Sequence, residues 1–162
     1  MSYSLSFASD EEAFTSYFTS KQPDARMQQQ LHQSQNQLRV WRDLPLPSTM
    51  EAALAIDDRA VVITEAKLPF KITHVNEVWE GLCGFSAEES KGKTLSMLQG
   101  EETNLYAITN MMNVLMQGNE AGCVLTNYTK EGRRFRNHLR VRPLDGPTPR
   151  FVGILQEIRD GM

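Results

Sequence analysis

Apolar positions recur along residues 60–158 in two rhythms. Short β-branched or alternating runs stand at both ends, and a spacing of three and four fills the middle. Ala60-Val61-Val62-Ile63-Thr64 and Ile72-Thr73-His74-Val75-Asn76 predict two strands, with Lys67-Leu68-Pro69-Phe70 turning the chain between them. Trp79 and Leu82 share one helical face, and Gly84 fits a helix stop. Ser86 predicts the cap of a further short helix, with Glu88 and Glu89 in its first turn. Asn104 to Gln117 reads as an amphipathic helix ended by Gly118, its buried face made by Leu105, Ile108, Met111 or Met112, and Leu115. Three strands follow: Cys123 to Tyr128, Arg134 to Pro143 and Phe151 to Ile158. Thr129-Lys130-Glu131-Gly132 is the hairpin turn between the first two. The strand from Arg134 alternates sharply, with Phe135, Asn137, Leu139 and Val141 on one face. Arg134, Arg136, His138, Arg140 and Arg142 lie on the other. The order of two strands, several short helices and three strands predicts an α+β fold, a five-stranded antiparallel sheet with short helices on one face.

The N-terminal third has a different texture. Asp10 could cap a short helix carrying Phe14, Tyr17 and Phe18 as one aromatic stripe. Gln22-Pro23 breaks the chain, and a Gln-rich helix is predicted from Asp24 to about Arg42. Met27, Leu31, Leu38 and Trp41 give it a thin heptad seam, too short for a coiled coil alone but able to assist a dimer. Leu44-Pro45-Leu46-Pro47 is an extended linker. Ser48 and Glu51 have capping-box spacing and predict a short helix through Met50, Ala53 and Leu54. The expected organisation is a helical extension and linker over 1–59, a domain over 60–158 and a tail over 159–162.

Composition narrows the class without naming it. A net charge of -3 implies no bulk attraction to nucleic acid or to anionic membrane. No run approaches a membrane span, and the first residues lack the form of a secretory signal. The two cysteines, Cys83 and Cys123, give neither a disulfide framework nor a metal pattern. An intracellular setting, cytoplasmic or nuclear, is the expectation. No nucleophile–base pair, metal cluster or phosphate loop is visible, so an enzyme is not expected.

Gly92 to Glu102 reads G-K-T-L-S-M-L-Q-G-E-E. It resembles the signature G-R-N-C-R-F-L-Q-G-P-E-T of LOV domains, the flavin-binding, blue-light-sensing branch of the PAS family. Gly92, Leu98, Gln99, Gly100, Glu102 and Thr103 carry the match. The opening V-I-T-E-A-K-L-P-F-K-I-T-H-V-N and the segment W-E-G-L-C-G-F-S-A-E-E resemble the same family, over about residues 60–158 in all. The resemblance implies the PAS fold and a polar grip on a flavin ring by Gln99, Asn127 and Asn137. It also exposes departures. Leu95 stands where the family has the cysteine that bonds to the flavin, and a leucine has no nucleophilic atom. Ser96 and Met112 stand where arginines pair with the flavin phosphate. The family's final glutamine aligns with Leu155. Gln156 follows it, but a one-residue offset turns a strand side chain to the opposite face unless a bulge intervenes.

Strand period also places Asn127 and Asn137 among apolar neighbours, where buried amides need partners: a ring, water or each other. These readings predict a LOV-like PAS module without adduct photochemistry, similar to cysteine-lacking regulatory domains of algae and diatoms. It is expected to act in protein–protein interaction as a homodimer or with a second PAS domain, through the sheet face bearing Val152, Ile154 and Gln156 and through the N-terminal helices. The resemblance implies that the helix just before the first strand covers the outer sheet face or mediates that dimer. No cofactor, and no tightly held FMN, is expected. The alternative is a noncovalent sensor of a flavin or another small planar ligand. The Arg-rich strand suggests nucleic-acid binding as a lesser reading, against cross-strand pairing with Glu131, Glu157 and other acids.

Overall fold

A computed structural model describes residues 45–159. The helices predicted before Pro45, with their aromatic stripe and heptad seam, lie outside the described residues, as do positions 160–162. A short helix α1 (Met50–Leu54) comes first, then β1 (Ala60–Glu65) and β2 (Ile72–Val75). The connection to the next strand carries α2 (Glu77–Cys83), α3 (Ala87–Ser90), a 3-10 turn (Leu95–Leu98) and α4 (Leu105–Met116). Then β3 (Ala121–Tyr128), β4 (Arg134–Leu144) and β5 (Arg150–Ile158) complete a five-stranded sheet in the order β2-β1-β5-β4-β3. Every pairing is antiparallel, as the sequence predicts.

Local chemistry fixes the ends of these elements. Asn76 does not continue β2 but caps α2, its side-chain oxygen accepting from the Trp79 N–H. Gly84 closes α2 at φ 83, a left-handed conformation that glycine adopts without a Cβ penalty. Ser86 and Glu89 form a full capping box on α3. Thr49, rather than Ser48, caps α1, accepting from the Ala52 N–H. Ser48 instead offers its carbonyl to the Asp145 N–H at 2.7 Å, which ties the linker to the end of β4.

The inner sheet face carries Ala60, Val62, Cys123, Leu125, Phe135, Leu139, Val141, Phe151 and Leu155. It packs on Trp79, Cys83, Leu98, Ala107, Met111, Met112 and Leu115 from the helical side. The outer face has an apolar cluster of its own: Val61, Ile63, Leu144, Val152 and Ile154 packed with Leu46 and Ala53. Val152 is 0% exposed and Ile154 7%. These two residues therefore offer no free apolar area for a dimer contact. The segment around α1 covers them, because an apolar sheet face left in water loses roughly 25 cal/mol per Å².

Much of the basic stripe of β4 is paired with acids, while Arg134 and Arg136 are exposed. Arg134 pairs with Glu102, Arg140 with Glu120, and Arg142 lies 4.0 Å from Asp145. Glu157 pairs with Arg133 at 3.0 Å and with Arg159, while Glu131 lies beside Gly84. Pairing occurs, then, but with acids from neighbouring loops more than from the cross-strand positions expected. Arg140 and His138 are buried, at 9% and 2% exposure.

Candidate functional site

Between the inner sheet face and the helical connection lies a cavity of about 90 Å³. A single water needs about 10–15 Å³, so the space exceeds a packing defect several-fold. Its floor is sheet: Val62 and Thr64 of β1, Leu125 and Asn127 of β3, Asn137, Leu139 and Val141 of β4, and Phe151, Gly153 and Leu155 of β5. Thr94, Leu95, Ser96, Leu98 and Gln99 form one wall, and Ile108, Met111, Met112 and Leu115 of α4 form another. Pro69 and Phe70 close a third side.

Two features of the backbone border this space. Gly153 sits in mid-strand, where a Cβ would meet Val62 Cγ1 at 3.1 Å and Leu139 Cδ1 at 3.3 Å. Glycine in a strand interior marks such a close approach, so its position was a usable signal of the floor. Phe70 adopts φ 65, a strained conformation for a bulky residue, and its ring tilts on Phe151 with centroids 5.8 Å apart. The hydrogen bond from the Phe70 N–H to the Lys67 carbonyl, at 2.7 Å, holds that turn.

All three predicted polar residues line this cavity, and so does Leu95. The two asparagines are joined to each other. Asn137 Nδ2 donates to Asn127 Oδ1 at 3.0 Å, and Asn127 Nδ2 donates to the Leu98 carbonyl at 3.1 Å. Asn137 Oδ1 accepts from the Gln156 N–H at 3.2 Å. This relay links β5, β4, β3 and the 3-10 turn through two amides. Gln99 differs: it is 7% exposed, and its buried Oε1 has no partner. The β4–β5 ladder runs without a bulge, pairing Leu139 with Leu155 and His138 with Gln156. Leu155 faces the cavity, and Gln156 lies on the outer side, as strand parity predicts.

Neither cysteine lines the cavity. Cys123 points its Sγ at Met111 Sδ, 3.6 Å away. Burial pushes both thiols up to about 12, so both stay protonated and inert near neutral pH. Thr94 Oγ1 and Ser96 Oγ form a 2.6 Å hydroxyl pair on the cavity wall, which sequence reading did not anticipate. No cluster of metal-binding side chains occurs among the described residues. No helix there is long and apolar enough to cross a membrane.

A family model described as "PAS domain" matches residues 58–160. The chain belongs to the PAS domain family. Within it, this PAS domain is similar to LOV-type blue-light receptors. It is 29% identical over 109 residues to a blue-light photoreceptor of Listeria monocytogenes, covering 65% of this chain and 43% of that protein. It is 27% identical over 116 residues to the bacterioopsin transcriptional activator of Halobacterium salinarum, covering 69% of this chain and 17% of that one. The chain thus spans less than half the length of these relatives. Among solved structures, the dark structure of the blue-light photoreceptor Aureochrome1 LOV matches with a TM-score of 0.61 at 27% identity, over 72% of this chain and 88% of that one. The LOV domain of a blue-light-activated histidine kinase from Erythrobacter litoralis matches with a TM-score of 0.60 at 25% identity, over 64% and 98%. A light-oxygen-voltage domain studied with a flavin analogue matches with a TM-score of 0.59 at 25% identity, over 64% and 79%.

Proposed function

We propose that this PAS domain is a sensory module that holds a flavin-type ring noncovalently in its interior cavity and has no cysteinyl bond to it. The observation that carries this reading is Gln99. A buried amide oxygen without a protein partner costs about 1–3 kcal/mol, and Gln99 Oε1 borders the cavity, where a ligand's donor would remove that cost as a water would. The cavity lining suits a planar ring in composition: mostly apolar side chains, with the amides of Gln99, Asn127 and Asn137 among them. Gln99 would meet the ring edge, with Asn137 and Asn127 beside it. The relay between the asparagines fixes their orientation before a ligand arrives, so little order is lost on binding.

A flavin ring, when bound, supplies absorption of blue light and one-electron chemistry. The protein's part is to orient the ring and exclude water. Leu95 lines the cavity and offers it no thiol, and both cysteines lie outside the lining and are held protonated. The expected interaction module, with its contact through Val152 and Ile154, is less well supported, since α1 and Leu46 already cover those residues.

The test is direct. Purified protein incubated with riboflavin and passed over a sizing column should carry a structured flavin absorption band. A colourless protein that is folded by circular dichroism and takes up no flavin would sink the proposal.

A further inference from the structure

We infer that this cavity selects its ligand by charge, taking the neutral, unphosphorylated flavin in preference to its phosphate ester. This rests on the proposed ligand reading and sharpens it. No residue lining the cavity is charged. A phosphate monoester carries roughly -1.5 to -2 charges near neutral pH, and an anion buried without a cation or strong donors loses its hydration uncompensated.

The places where an anion could find help are already taken or lie elsewhere. The cavity wall offers Thr94 and Ser96, whose hydroxyls bond each other at 2.6 Å. One hydroxyl donates to the other, which leaves a single neutral O–H for a ligand, against the several charge-assisted bonds that a phosphate dianion needs. Met112, 7% exposed, presents a thioether from α4. The first N–H groups of α4 are occupied, because Asn104 Oδ1 accepts from Tyr106 at 3.0 Å and from Ala107 at 3.2 Å. Lys91 and Lys93 are exposed and outside the lining, with the Lys93 carbonyl held by the Ile72 N–H at the sheet edge. Glu101, exposed just after the Gln99-Gly100 turn, repels an anion approaching there, and the charge of Glu102 beside it is already paired with Arg134.

Titration of the full chain with riboflavin and with FMN, followed by flavin fluorescence and calorimetry, tests the inference. Riboflavin should bind at least about tenfold more tightly, since FMN gains none of the charge-assisted bonds that a cationic site provides. Ser96→Arg, which places a cation at the half-buried wall, should raise FMN affinity, narrow or reverse the ratio, and make FMN binding salt-dependent. Equal affinities in the unaltered protein, or tighter FMN, would overturn the charge selection and leave the ligand reading standing. Retention of neither flavin by a chain that unfolds cooperatively would overturn both.

Discussion

Two side chains show how much one residue can hold here. Gln99 keeps a buried amide oxygen unpaired. Gln99→Leu should therefore stabilise the unliganded domain by about 1 kcal/mol while weakening flavin retention, the trade expected of a site under functional strain. Thermal unfolding and a flavin titration on the same sample check both signs. Asn76 is the opposite case, an amide with every partner met. Its Oδ1 accepts from the Val61 and Trp79 N–H groups, and its Nδ2 donates to the Ile56 and Arg59 carbonyls. Asn76→Ala leaves those groups stranded and should cost at least about 2 kcal/mol, read as a lower urea midpoint with an unchanged slope. Sequence period alone put Asn127 and Asn137 on the interior face. It did not reveal that they bond each other, because that contact depends on cross-strand register, in which Asn137 pairs with Leu125 and Asn127 with Phe135.

At the scale of elements, hydrophobic period located every strand, and its errors share a cause. Asn76 left β2 to cap α2, and Thr49 took the cap from Ser48, because each satisfied backbone groups that only the folded neighbours present. The face of β5 expected to make a dimer contact together with the N-terminal helices is covered by α1 and Leu46 of its own chain, since parity tells which side a residue faces and not which copy's segment lies over it. Val152→Asp should thus destabilise the domain itself by about 3 kcal/mol or more, an unpaired charge in an apolar cluster, whatever the oligomeric state. Urea denaturation at several protein concentrations distinguishes this from a lost dimer: the midpoint should not vary with concentration. The loop after the 3-10 turn depends on a missing side chain. A Cβ at Gly100 would stand 2.2 Å from the Tyr128 ring, whose hydroxyl accepts from the Glu102 N–H at 3.1 Å. Gly100→Ala should displace that ring, cost about 1–3 kcal/mol and move the adjacent Gln99, so flavin retention should fall along with the melting temperature.

Across the whole molecule, the resemblance read from Gly92 to Thr103 led to the family, and the fold followed. The cavity's openness was less legible. Gly153 in mid-β5 was a signal of it, while the positive φ of Phe70 on its border is announced by no period. Acid sensitivity is also a property of the assembled sheet. His138 is pushed down to about 4, first by burial and then by the charge of Arg140, from an ordinary value of 6.5. Between those values the unfolded chain holds a proton that the folded chain does not. Stability should be full above about pH 6.5 and fall as pH drops toward about 4, by roughly 3 kcal/mol. His74 is lowered too, by burial and then by Arg150 and Lys91, so His138→Gln should leave a shallower slope in denaturation curves collected across that range.

β1 and β5 wall two apolar compartments at once, with Val62 and Gly153 turned to the cavity and Ile63 and Val152 to the cluster under α1. Over residues 60–64 and 151–155 neither strand has a solvent side on which substitutions can accumulate harmlessly. In a saturation library, this pair should tolerate the fewest replacements. The surviving variants should change residues on both sides of the sheet together, so the two compartments would diverge in step as the sequence drifts.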